Sequence, residues 1–275
     1  MKVWVDGTLS DQADAQVSAF DHGITVGDGV FETAKVIDGV PFALSRHLAR
    51  LADSARGLGL TAPPVADVRA AIEATLTANA DVLGDPHRLR ITLTGGPGPL
   101  ASERGAAGPT MIVALAPMAP WPATARTLVV PWTRNERSAT AGLKTTSYAE
   151  NVVALAHARR LDATEALFAN SRGELCEGTG SNIFAVRGGQ VFTPPLASGC
   201  LAGVTRALVL EWTDAIERDL PLSTLDEADE LFLTSSTRDV MPVHAVGDRV
   251  LAAPGPVTAW VAATFAERSA ANVDP

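Results

Sequence analysis

Residues 174–184 read Glu174-Leu175-Cys176-Glu177-Gly178-Thr179-Gly180-Ser181-Asn182-Ile183-Phe184, and residues 201–206 read Leu201-Ala202-Gly203-Val204-Thr205-Arg206. In the first stretch a carboxylate precedes a glycine-rich turn into an apolar run, and 181–186 is predicted as a strand. Gly178 and Gly180 let the backbone come close to a ligand. A carboxylate buried there needs a cationic partner, and a pyridinium N–H is one. In the second stretch Gly203 opens a predicted helix over 203–218. The free N–H groups of Val204 and Thr205, with the Thr205 hydroxyl, form a cradle suited to phosphate.

Outward from these stretches, strand-like and helix-like periods alternate. Apolar runs at 31–37 and 40–44 flank Asp38-Gly39, a hairpin signal. Ser45 is expected to cap a helix with Leu48, Leu51, Ala55 and Leu58 on one face, ended by Gly57 and Gly59. Further helices are predicted over 65–80, 150–161 and 257–268. Strands are predicted over 89–94, 111–116, 127–132, 165–169, 191–193 and 230–235. The proline-rich run 117–122 fits neither a helix nor a central strand. The expected organisation is α+β in two domains: a small domain over 1–116, a linker over 117–122 and a larger domain over 123–275 carrying most ligand contacts.

Composition bounds the function. With 275 residues, 47% hydrophobic and 19% charged, the chain is not disordered. Folding buries about 70% of the surface of a chain this long, enough for a self-sufficient core. A net charge of −9 without a basic run excludes a nucleic-acid footprint and attraction to anionic lipid. Cys176 and Cys200 are too few for a disulfide framework and have no zinc-ligand spacing. Met1–Asp6 meets an acid too early for a secretory leader, and the longest uncharged stretch, 105–125, is broken by four prolines. A soluble, cytoplasmic protein without a metal is expected. P-loop, nucleophile-elbow and H-E-x-x-H motifs are absent, and Gly27-Asp28-Gly29 lacks the third glycine of a dinucleotide fingerprint.

Three further motifs carry chemistry. Arg46, in Ser45-Arg46-His47-Leu48-Ala49-Arg50-Leu51, sits at a helix start, where anions are favoured. Lys144, among small and hydroxyl residues before Tyr148 and a helix, is suited to hold an aldehyde as a Schiff base. A predicted strand ends in the hydroxyls of Thr234, Ser235, Ser236 and Thr237. Singly, each motif has an ordinary reading: a solvated arginine, a surface lysine, a hairpin, a helix cap, a polar strand end. Jointly they are the groups that hold pyridoxal 5′-phosphate at its phosphate, aldehyde and ring nitrogen.

In chain order R-H-x-x-R-L (46–51), E-x-x-x-S-N-I-F (177–184) and L-x-G-x-T-R (201–206) resemble the class IV aminotransferases, the fold-type IV pyridoxal-phosphate enzymes, over nearly the whole chain. The resemblance implies a two-domain α+β fold like that of D-amino-acid aminotransferase. Lys144 is then the Schiff-base lysine and proton shuttle, and Glu177 the partner of the pyridine nitrogen. Arg46, Val204, Thr205 and Ser236 form the phosphate cup, with Tyr148 on the O3′ side and Asn182 near the ring. It also implies a homodimer with the active site at its interface, completed by the partner chain, acting on a small amino donor and an oxo acid. The Tyr and R-x-H carboxylate trap of D-amino-acid aminotransferases is replaced by Phe31, Leu100 and Ser102. Arg104, on the loop 95–105, is the expected anion partner. The expected activity is transamination of D-amino acids or (R)-amines. The alternative is 4-amino-4-deoxychorismate lyase, which forms 4-aminobenzoate and pyruvate, and branched-chain L-amino-acid transamination ranks third.

Overall fold

The computed structural model describes residues 1–84 and 86–275. They form two units. The first comprises Met1–Ala119, Leu143–Ser147 and Val273–Pro275; the second comprises Pro120–Gly142 and Tyr148–Asn272. A cut at 117–122 therefore leaves two pieces out. The strip bearing Lys144 and the last three residues belong with the first unit. Backbone hydrogen bonds hold them there, from Phe31 N–H to the Lys144 carbonyl (2.9 Å) and from Ala43 N–H to the Val273 carbonyl (2.7 Å).

The first unit holds a six-stranded sheet in the order β2-β1-β6-β5-β3-β4. These strands are β1 (Lys2–Val5), β2 (Thr8–Asp11), β3 (Gly29–Ile37), β4 (Val40–Pro41), β5 (His87–Thr94) and β6 (Thr110–Pro117). Asp38 and Gly39 both take positive φ between β3 and β4, as a two-residue hairpin turn requires. One short helix, α1 (His22–Thr25), precedes β3. Two longer ones, α2 (Leu44–Leu58) and α3 (Val65–Ala78), pack on one sheet face, where Leu48, Leu51, Val68 and Ile72 meet Val30, Leu89, Ile91 and Val113 in the core. Ser45 is not the cap of α2. The N-cap is Ala43, and the Ser45 hydroxyl donates to Asp274 (2.6 Å).

Glu32 lies fully buried on β3 with His47 Nδ1 at 2.6 Å and Arg50 Nε at 2.7 Å. Burial alone would raise its carboxyl, but the Arg50 guanidinium and His47 outweigh burial and hold it at about 2. A folded-state value below the ordinary carboxylate value contributes stability that is present above about 4.5 and is lost as pH falls towards 2. Glu32→Gln is expected to cost about 3 kcal/mol at neutral pH, because it leaves Arg50 without its buried counter-charge. It should also flatten the melting temperature between pH 5 and 3. Thermal melts across that range check both effects; a parallel decline in variant and wild type would exclude Glu32 as the source.

The second unit holds a nine-stranded sheet in the order β12-β11-β10-β13-β14-β7-β8-β9, with β15 paired to β14. Its strands are β7 (Ala125–Arg134), β8 (Glu165–Asn170), β9 (Leu175–Gly178), β10 (Asn182–Arg187), β11 (Gln190–Thr193), β12 (Ile216–Glu217), β13 (Glu230–Ser235), β14 (Asp239–Val246) and β15 (Arg249–Val250). Its helices are α4 (Ala149–Arg160), α5 (Val204–Trp212), α6 (Thr224–Glu227) and α7 (Pro256–Ala271). Phe184 and Phe232, opposite each other on β10 and β13, stack with centroids 4.8 Å apart at the heart of this sheet. The predicted helix over 203–218 stops at Trp212. Thr213 turns extended, its hydroxyl closes on the Val209 carbonyl, and Ile216 pairs with Phe192 on β11. β14 escapes sequence reading because Pro242 interrupts it. Its pairing with β7 begins at Val243, one residue past the missing N–H.

Candidate active site

In the first unit, Lys144 lies on a strip bound to β3. Thr146 N–H donates to the Gly29 carbonyl (2.7 Å), and Lys144 N–H donates to the Ser54 hydroxyl (3.2 Å). The Lys144 Nζ stands 4.4 Å from the centre of the Phe31 ring. The Arg90 guanidinium carbon lies 3.7 Å from the same ring centre. Phe31 is buried and pairs with Thr92 in the β3–β5 register, with Arg90 opposite Thr33. One aromatic ring thus contacts both an amine and an exposed guanidinium.

The other expected groups of this unit have their own engagements. Arg46 Nε donates to the Pro275 carbonyl (2.8 Å). Arg104 Nε and Nη2 each reach an Asp28 oxygen at 2.7 Å, and its Nη1 and Nη2 donate to the Gly59 and Leu58 carbonyls. Arg104 therefore fastens the 95–105 loop to the end of α2, a different task from the one expected of it. Leu100 projects from this loop, 72% exposed.

In the second unit the structure brings Glu177, Asn182 and the start of α5 together. One Glu177 oxygen accepts from Leu201 N–H (2.9 Å), and the other lies 3.2 Å from Arg134 Nε. Arg134 is held in turn by Glu150 and Asn151, with its guanidinium 4.4 Å from the Phe168 ring centre. Asn182 Nδ2 donates to the Leu201 carbonyl (2.9 Å). A Cβ on Gly203 would stand 2.0 Å from Asn182 Oδ1, so only glycine lets the helix start approach Asn182 this closely.

Gly203 caps α5 without a side-chain hydrogen bond to its first turn, leaving the N–H groups of buried Val204 and Thr205 as donors. α5 packs against β13, which ends at Ser235 with Ser236 following. The hydroxyls of Thr234 and Ser235 are buried without a hydrogen-bond partner among the described residues. Orphaned buried hydroxyls at the end of β13 and free N–H groups at the start of α5, which packs on that strand, are donors of the kind a phosphate group takes. Tyr148 precedes α4, and its carbonyl accepts from Val152 N–H (3.0 Å).

Burial pushes the Cys176 and Cys200 thiols up, so neither offers a thiolate. Among the described residues no cluster of three or more His, Cys, Asp or Glu is placed to hold a metal ion, and no helix is long and apolar enough to cross a membrane.

The profile of amino-transferase class IV matches residues 29–246. The chain belongs to the class IV aminotransferase family. It is 34% identical over 261 residues to a Methanocaldococcus jannaschii protein provisionally assigned as a branched-chain-amino-acid aminotransferase, covering 91% of this chain and 90% of that one. It is 29% identical to a D-alanine aminotransferase of Bacillus licheniformis, covering 94% of this chain and 93% of that one. It is 28% identical to the aminodeoxychorismate lyase of Bacillus subtilis, covering 87% and 85%. Among solved structures, a fold IV transaminase from Curtobacterium pusillum superposes with a TM-score of 0.85 at 33% identity, covering 93% of this chain and 92% of that one. A Mycobacterium tuberculosis aminotransferase in its PLP-bound form gives 0.87 at 26% identity, covering 97% and 98%. The enzymes of this family depend on pyridoxal phosphate, and the groups above fit it.

Sequence reading missed Arg90, Arg134, Glu165 and Arg238. Arg90 had a signal, because Arg88 and Arg90 alternate with buried Leu89 and Ile91 along β5. Arg134 had none; 43 positions separate it from Glu177 in sequence, and only the sheet brings them together.

Proposed function

We propose that this enzyme moves an amino group between a D-amino acid or an (R)-amine and a 2-oxo acid. Pyridoxal phosphate supplies the carbonyl that takes up the amino group and the ring that accepts electron density. Lys144 holds the aldehyde end and moves the proton at the substrate Cα. Glu177 keeps the ring nitrogen protonated. Val204, Thr205 and Ser236 would hold the phosphate, with Asn182 and Tyr148 as further residues that would bind the cofactor. Arg46 is retained as a phosphate ligand by its motif.

The observation that carries this reading is the shared Phe31 ring. An amine for the chemistry and a guanidinium for a carboxylate lie against one aromatic ring. Phe31 has no hydroxyl with which to fix a carboxylate and Asp28 holds Arg104, so we assign the anion-partner role to Arg90, whose exposed guanidinium lies against the Phe31 ring. An apolar ring in this place tolerates amines that lack a carboxylate. Exposed Phe20, Ile24, Val26 and Leu100 support the homodimer, since they leave an apolar surface around α1 and the adjoining loop. The proposed setting is the cytoplasm.

Phe31-Glu32 and the archaeal relative favour branched-chain L-amino acids as the second reading. A donor panel with pyruvate and 2-oxoglutarate decides. The expected result is slow turnover of D-alanine and (R)-amines, with Arg90→Ala raising KM about ten- to a hundredfold for amino-acid donors and little for amines. Turnover of branched L-donors alone transfers the protein to the second reading. Pyruvate release from 4-amino-4-deoxychorismate without an oxo acid makes it a lyase.

A further inference from the structure

We propose that Glu165 is a positioning residue for cofactor binding, one buried carboxylate that clamps the loop between Glu177 and Asn182 to the loop that carries Ser236. This rests on the assignment of the phosphate to Val204, Thr205 and Ser236. Glu165 opens β8 and is fully buried. A carboxylate survives such a place only when it is paired and hydrogen-bonded. Here both oxygens are filled by groups from two loops. Oε1 accepts from the Thr179 N–H (3.0 Å) and from the Thr179 hydroxyl. Oε2 accepts from the Ser181 hydroxyl (3.2 Å) and from Arg238 Nη1 (2.6 Å).

The two loops are short; the first connects strands that are not neighbours in the sheet, and the second closes the β13–β14 hairpin. Thr179-Gly180-Ser181 joins β9 to β10 and is closed by Gly178 N–H on the Ser181 carbonyl (2.8 Å). Ser236-Thr237-Arg238 joins β13 to β14, where Ser235 pairs with Asp239, and is closed by Arg238 N–H on the Ser235 carbonyl (3.2 Å). Arg238 is nearly buried, its guanidinium carbon 4.2 Å from the centre of a Trp121 ring. That ring fixes the direction from which the guanidinium meets Glu165. Asn182 directly follows the first loop, Glu177 precedes it across Gly178, and Ser236 begins the second.

The clamp thus sets the separation of a ring-side pair and a phosphate-side hydroxyl. Groups that bind a ligand lose much of their worth when their support shifts by an ångström, so a clamp of this kind is felt in ligand selectivity before it is felt in folding.

The test compares the affinity of the full-length apoprotein for pyridoxal phosphate and for pyridoxal, which lacks the phosphate, by absorbance titration. The expected wild type prefers the phosphorylated form. Arg238→Gln and Glu165→Gln are expected to lower affinity for pyridoxal phosphate about tenfold while leaving that for pyridoxal unchanged, and Arg238→Lys should recover part of the loss. Equal losses for both ligands, or none in a folded variant, overturn the proposal. If Glu165→Gln does not fold, the Arg238 pair decides. Ser236→Ala separates the two levels of argument. If it abolishes the preference and Arg238→Gln does not, the clamp is wrong and the phosphate assignment stands. A wild type without preference removes the assignment, and the clamp with it.

Discussion

Lys144→Ala is expected to abolish turnover with every amino donor, a loss of about 10⁴-fold or more, while the protein folds as before. The size follows from the two tasks given to one amine: holding the cofactor's aldehyde and carrying the proton at the substrate Cα. Intact folding follows from how the strip is attached. Its links to β3 and α2 run through the backbone, from Phe31 N–H to the Lys144 carbonyl, from Thr146 N–H to the Gly29 carbonyl, and from Lys144 N–H to the Ser54 hydroxyl. Alanine retains all three. The contact of Nζ with the Phe31 ring is lost, a cation–π contact worth on the order of 1 kcal/mol. Borohydride reduction of the wild-type enzyme with bound cofactor, followed by peptide mapping, should label Lys144. A label on Lys2 or Lys35 instead would sink the assignment, as would turnover surviving in Lys144→Ala.

The residues proposed to hold the cofactor can be read from sequence because their chemistry is local. Gly203-Val204-Thr205 begins a helix with free N–H groups, and Glu177 enters a glycine-rich turn between two strands; both follow from neighbours in sequence. The partners of those residues were not legible, because a sheet or a tertiary pairing supplies them. Arg134 reaches Glu177, and Arg238 reaches Glu165 across 73 positions. Arg104 misled for a related reason. Its Gly/Pro loop signals mobility, but Asp28 and two carbonyls at the end of α2 saturate most of its donors. The helix over 203–218 was drawn too long because Ile216 continues an apolar period that β11 claims as a strand. The strip 143–147 could not be assigned from sequence to the first unit, since its hydrogen bonds go to Gly29, Phe31 and Ser54, about a hundred positions away.

Glu177→Gln should leave cofactor binding nearly intact and slow the chemical step by about 10²- to 10³-fold. The glutamine has the same shape, and its carbonyl still accepts the Leu201 N–H that the carboxylate accepts at 2.9 Å. What it lacks is charge. Arg134 Nε, 3.2 Å from the other carboxylate oxygen, would then face an amide, and the ring nitrogen would lose the anion that keeps it protonated. Without that proton the ring is a weaker acceptor for the electrons left at the substrate Cα. Removing one placed electrostatic group from a reacting centre costs a factor of this size. Single-turnover kinetics with D-alanine separates binding from chemistry. The amplitude at saturating cofactor should match wild type while the rate constant falls. Arg134→Gln tests the other side of the pair. With Glu177 intact it should slow the same step less, because Leu201 N–H still orients the carboxylate. A wild-type rate constant in Glu177→Gln would mean that the charge at this position plays no part in the reaction.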